Sequence, residues 1–171
     1  MLFQTQIFFL FFLLVLIIFW TSPTKQIKKI VLLISSLVFY AFWNIPYTLI
    51  LIFSVIFNFY IGHLIWKKSN LKLIILSCFV NIGILFFFKY INFGIENLNE
   101  LLSYFYETNY IPFLSIILPL GISFYTFQNL SYTIDLYNRK YTPYCSFLDY
   151  SVYIGFFPQL IAGPIVRGQY F

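Results

Sequence analysis

The chain has 171 residues and a net charge of +5; 61% of its residues are hydrophobic, 25% are aromatic and only 9% are charged. A soluble domain carries about 25% charged residues, and no water-soluble fold could cover its surface from this pool. The composition therefore excludes a soluble enzyme or a nucleic-acid binder and reads as an integral membrane protein, with the ten basic residues as topology signals.

Ile7 to Trp20 is uninterrupted apolar sequence. With its flanks it reaches the ~20 residues needed to span a bilayer. It lacks the basic lead and small-residue cleavage site of a signal peptide and reads as a retained first helix ended by Pro23. Ile30 to Trp43 is the second run. The uncharged Asn44-Ile45-Pro46 connection allows only an antiparallel hairpin into the third run, Tyr47 to Trp66. Leu71 to Tyr90 is the fourth. Asn92 to Tyr110 holds Glu96, Glu100 and Glu107, and its apolar residues Leu98, Leu101, Leu102 and Phe105 recur with a helical period. That pattern predicts a separate amphipathic helix lying at the interface.

Phe113 to Ile134 is long enough to span, although Pro119 and Gly121 interrupt it. Phe147 to Val166 is broken by Pro158 and by Gly163-Pro164, so a kinked, re-entrant or half-spanning path is expected. Lys25, Lys28 and Lys29, then Lys67, Lys68 and Lys72, then Arg139 and Lys140 occupy alternate loops. The positive-inside rule places those loops in the cytoplasm and the glutamate segment outside. The fold expected is all-α: a polytopic transmembrane protein of about six hydrophobic helices or half-helices plus the interfacial helix, in one membrane domain over residues 1–171.

The stretch from Leu118 to Tyr137 is apolar enough for a bilayer yet carries Gln128, Asn129 and Asp135. A charge at helix centre costs ~2.5–3.5 kcal/mol on insertion scales. At ~100° per residue, Tyr125, Gln128, Tyr132, Asp135 and Arg139 fall in one narrow stripe. The stripe is either a hydrogen-bonded interior face or the wall of a polar passage, with Arg139 one turn beyond Asp135 as its pairing partner. No P-loop, Gly-rich dinucleotide motif, CxxC pair or paired-His metal spacing is present. The single histidine, His63, reads as a structural hydrogen-bonder, and Ser35, Ser36, Ser54 and Asn58 as helix glue.

Four stretches carry a resemblance: Ser36 to Trp43, Phe88 to Phe93, Pro119 to Tyr132 continuing to Asp135, and Phe156 to Arg167. In order and at consistent positions, they resemble the N-terminal portion of the membrane-bound O-acyltransferase family, nearest its alginate O-acetylation branch. The resemblance implies a multi-pass enzyme of the bacterial inner membrane that passes an acetyl group to a hydroxyl on a cell-envelope polymer such as an alginate-like polysaccharide or peptidoglycan. It implies an acyl donor such as acetyl-CoA, no bound cofactor, an extracytoplasmic O-acetylation partner protein, and a C-terminal half holding the family's catalytic histidine. His63 does not match that histidine, and the sequence reads as truncated after Phe171, so no catalytic residue is assigned and the chain alone is expected to be inactive. The motif residues carried over as substrate-path or structural positions are Tyr125, Gln128, Tyr132, Asp135, Pro158, Gln159, Gly163, Pro164 and Arg167. A non-catalytic membrane scaffold that binds an acyltransferase or export partner is the alternative, and solute transport a weaker third reading.

Overall fold

The computed structural model describes residues 5–104, 111–163, 166 and 168. Among them there are seven helices and no strand: α1 (Gln6–Thr21), α2 (Lys25–Trp43), α3 (Ile45–Lys68), α4 (Leu71–Ser103), α5 (Ile122–Tyr137), α6 (Phe147–Gly155) and α7 (Phe157–Ala162). The expected all-α membrane architecture is borne out. α2, α3 and α4 are long and apolar enough to cross a membrane. On α4, Phe79 and Phe86 are 76% and 60% exposed, an apolar surface suited to lipid or another apolar partner rather than water.

Polar caps set the hairpins. Thr24 accepts from the Ile27 N–H to start α2. Asn44 ends α2 through its own N–H to the Tyr40 carbonyl and starts α3 by accepting from the Tyr47 N–H. Pro46 lies in the first turn of α3, where a missing N–H costs nothing. Ser69, in the left-handed region at φ 44°, stops α3, and Asn70 caps α4 through the Lys72 N–H at 2.9 Å.

Helix α5 is the hub. It packs against α3 and α4 and touches α6, which in turn rests on α2 and α3. Ten of its sixteen residues are buried. Close approach to α3 depends on Gly62, where a Cβ would lie 2.7 Å from the Tyr132 ring. The α5 start depends on Gly121, at φ +67° with the Leu160 carbonyl oxygen 2.5 Å from where its Cβ would stand.

Two sequence expectations are corrected and a third is refined. The glutamate segment is not a separate interfacial helix: α4 runs unbroken for 33 residues to Ser103, about 50 Å against a ~30 Å hydrocarbon core. Leu98 and Leu101, its expected apolar face, are exposed, while Ile95 and Asn99 are buried. Phe113 to Ile134 is not one helix either. Residues 111–119 are non-helical, and α5 begins only at Ile122, after Pro119 and the left-handed Gly121. The last run divides at Phe156, with Pro158 in the first turn of α7, where it starts a helix rather than bending one. Glu107, Pro164 and Arg167 lie outside the described residues.

Candidate functional site

The polar side chains of α5 project into the bundle. Tyr125, Gln128, Tyr132 and Asp135 are all buried, as are Asn129 and Thr133 beside them. The Gln128 amide donates to the Tyr153 carbonyl on α6 at 2.9 Å. Asn129 donates to Ser54 Oγ on α3 at 2.9 Å and accepts from the Tyr150 hydroxyl on α6 at 2.6 Å. One residue thus ties three helices.

A second knot adjoins it. The Asn58 and Asn81 carboxamides exchange reciprocal hydrogen bonds at 3.0 and 2.8 Å between α3 and α4. Ser77 donates to Thr133 Oγ1 at 3.3 Å, and Thr133 donates to the Asn129 carbonyl at 3.1 Å, which carries the connection into α5. In hydrocarbon an unpartnered amide is costly, so these bonds specify which helix faces meet.

At the other end the phenols take over. Tyr132, Tyr141, Tyr144, Tyr150 and Tyr153 form a ring cluster with neighbouring centroids 4.7–6.2 Å apart. The Tyr132 hydroxyl accepts from the Tyr144 N–H, Tyr144 donates to the Gly168 carbonyl at 2.7 Å, and Tyr153 donates to the Val166 carbonyl at 2.8 Å. In the α5–α6 loop, burial pushes the Tyr144 phenol up to about 12, with Asp149 adding to the rise. Burial pushes the Tyr141 phenol higher still. Both stay neutral at physiological pH. The Tyr125 and Tyr141 hydroxyls are buried without a hydrogen-bond partner among the described residues.

Asp135 pairs with Lys140, Nζ to Oδ1 at 2.7 Å, not with Arg139 as expected. The chain leaves the helix after Tyr137 and Arg139 takes φ 57°, which swings the two basic side chains apart. Arg139 instead stacks on Trp66, 4.3 Å from the ring centroid, and donates to Ser69 Oγ at 2.7 Å. It thereby ties two basic loops at one end of the bundle. Lys29 pairs with Asp149 and ties α2 to α6.

The second motif region bends around Ser36. At the α6–α7 break the Phe157 N–H donates to Ser36 Oγ at 3.2 Å, while Ser36 donates to the Leu32 carbonyl at 2.7 Å. The Phe157 ring sits among Phe8, Phe11, Phe12 and Phe39, with centroids 5.3–6.5 Å away. Pro158 and Gln159 are half-buried in α7. Gly163 closes α7 through its N–H to the Gln159 carbonyl at 3.0 Å. His63 Nδ1 lies 2.9 Å from the Phe59 carbonyl on its own helix, and its ring is 4.5 Å from that of Phe59.

These residues can hold helices in register. Asp135 and Asp149 are each paired with a lysine, and Glu96 and Glu100 are exposed on the far part of α4. No group of three or more His, Cys, Asp or Glu able to hold a metal occurs among the described residues.

Comparison with known proteins gives this arrangement its context. The protein named probable alginate O-acetylase AlgI of Pseudomonas aeruginosa is 34% identical over 98% of this chain, which covers 33% of that relative. The chain is similar to bacterial proteins named as O-acetylases. The protein named probable alginate O-acetylase AlgI of Azotobacter vinelandii is 35% identical over 98% of the chain, covering 34% of its length. The peptidoglycan O-acetyltransferase of Helicobacter pylori is 36% identical over 81% of the chain, covering 31% of its length. The chain thus spans about a third of the length of the curated relatives it matches. No family model matches the chain, and no solved structure does. The resemblance to the alginate O-acetylation branch is borne out.

Asn81, Ser77 and Tyr150 escaped the sequence reading. A lone Asn in the middle of the apolar α4 run, one turn after a serine, was the available signal, because such a pair in hydrocarbon demands a partner on a facing helix.

Proposed function

We propose that this chain forms the structural third of a membrane O-acetyltransferase that esterifies hydroxyls of a cell-envelope polysaccharide or peptidoglycan in the bacterial inner membrane. The observation that carries the reading is the buried polar face of α5, built from residues of the strongest motif stretch and closed by partners on α3, α4 and α6. Gln128, Asn129 and Thr133 are held by partners on the neighbouring helices, so the chain's part is to shape the interior against which a reaction tunnel is completed. Proton transfer from the acceptor hydroxyl requires a base within hydrogen-bond reach, and that base comes from the remainder of the enzyme. An acetyl donor such as acetyl-CoA and an extracytoplasmic partner protein that presents the polymer complete the reaction. The hydrogen-bonded network between helices also fits a scaffold with no chemistry of its own, bound to a separate transferase.

A chimera tests the proposal. The corresponding third of an alginate O-acetylase and, in parallel, of a peptidoglycan O-acetyltransferase is replaced by residues 1–171, and acetyl ester on the polymer is measured. Ester formation in either host supports the acetyltransferase reading, and the host that works names the acceptor. Chimeras that insert at normal levels yet give no ester in both hosts would sink it.

A further inference from the structure

Between the tip of α4 and the start of α5 the chain returns as a non-helical segment, residues 111–119, whose side chains are mostly exposed. Its course is fixed by side chains rather than by secondary structure. Asn99 on α4 donates to the Ile111 carbonyl at 2.9 Å and accepts from the Ile111 N–H at 2.8 Å. Asn92 does the same for Leu114, at 2.8 and 3.0 Å. Ile95, between them on the same helix face, is buried at 8%.

The spacing explains why two asparagines suffice. Seven residues of α-helix advance about 10.5 Å, and three residues of extended chain advance about 10 Å. Asn92 and Asn99 therefore match Leu114 and Ile111 in an antiparallel register, and a slip that brought Pro112 opposite Asn99 would lose the N–H that Asn99 accepts. Three residues past Ile117 the Tyr40 hydroxyl donates to the Leu120 carbonyl. Gly121 then takes its left-handed turn against Leu160, and the Tyr125 N–H closes the first turn of α5 on the Gly121 carbonyl at 3.1 Å.

We propose that Asn92 and Asn99 form a two-point clamp that sets the register of this strap and so fixes where α5, with its buried polar face, begins. They are positioning residues acting through the backbone of Ile111 and Leu114. Each presents a donor and an acceptor on one rigid carboxamide, which no other uncharged side chain of that length supplies.

Hydrogen exchange of the full chain in nanodiscs tests this without reference to acetyl transfer. Asn92→Ala should speed exchange of the Leu114 amide, and Asn99→Ala that of the Ile111 amide, by about ten-fold or more, since each loses the hydrogen bond that protects it. In the double variant the Tyr125 amide should lose protection while α3 amides keep theirs. Asn92→Asp, which keeps the acceptor for the Leu114 N–H, should leave that amide protected. Asn97→Ala should change nothing, because Asn97 bonds only the Phe93 carbonyl of its own helix. Strap amides that exchange as fast in the wild type as in the variants would overturn the clamp. An unaltered Tyr125 amide in the double variant would overturn its role in placing α5. If the variants misfold globally, Asn92→Asp decides: loss of Leu114 protection there also contradicts the proposal.

Discussion

Asn129 is the single residue on which three helices converge, and its removal has a calculable cost. Asn129→Ala deletes the bond to Ser54 Oγ and the one accepted from Tyr150. Interhelical hydrogen bonds in bilayers average ~0.6 kcal/mol with a ceiling near 1.7, and a buried hydroxyl left unpaired costs ~1–3 kcal/mol. Ser54 can recover by turning to a carbonyl of its own helix, as Ser35, Ser36 and Ser151 do here. Tyr150 cannot, because its fully buried ring is held among Phe59, Tyr132 and Tyr153. The expected loss is about 2 kcal/mol, most of it at the phenol. Tyr150→Phe should cost about 1 kcal/mol alone but recover part of the loss once Asn129 is alanine, because it removes the stranded hydroxyl. Reversible unfolding in bicelles, followed by circular dichroism through the full double-mutant cycle, measures the coupling. Costs that add to within ~0.3 kcal/mol would show that the two residues act independently and would refute the network.

Gly121→Ala should destabilise by at least the ~1–2 kcal/mol of a left-handed alanine, and by more because the Leu160 carbonyl blocks the methyl; a wild-type melting temperature would contradict the α5 start described here. Lys140→Met should harm stability more than Arg139→Met, because it strands the buried carboxylate of Asp135, and Asp135→Asn should relieve the defect; the reverse order in thermal melts would restore the Arg139 pairing. His63→Gln in a full-length enzyme containing this chain should leave turnover within a few-fold of wild type at equal protein level, since its ring contacts only its own helix turn in the bonds described. A loss of ~10²–10⁴-fold, the scale of removing a general base, would show a catalytic role.

The helices from Ile7 to Lys68 were legible because hydrophobic length and cap residues act locally, and the Thr24, Asn44 and Asn70 caps sit where the sequence changes character. The inward direction of the Tyr125–Asp135 stripe was legible for the same reason: a helical period and a few polar residues in an apolar run. What lay outside local reach was decided by distant partners. α4 continues past Tyr90 while the strap at 111–114 covers one side of it through Asn92 and Asn99, a pairing across as many as 22 residues that no window reveals. Asp135 took Lys140 rather than Arg139 because the chain leaves the helix at Asn138, and helical spacing ceases to govern beyond that point. Ser36 as the acceptor for the Phe157 N–H, 121 residues away, follows from the α6–α7 break, which the prolines signalled without naming the partner.

The central claim, that this chain shapes the interior of an O-acetyltransferase without supplying its base, is tested most directly by reconstituting purified residues 1–171 in liposomes with labelled acetyl donor and polymer, alone and with the remaining two-thirds of a relative supplied as a separate chain. The account predicts no ester above background for the chain alone and ester formation when the remainder is added. Transfer by the chain alone, persisting after co-purified host enzymes are controlled for, would contradict it.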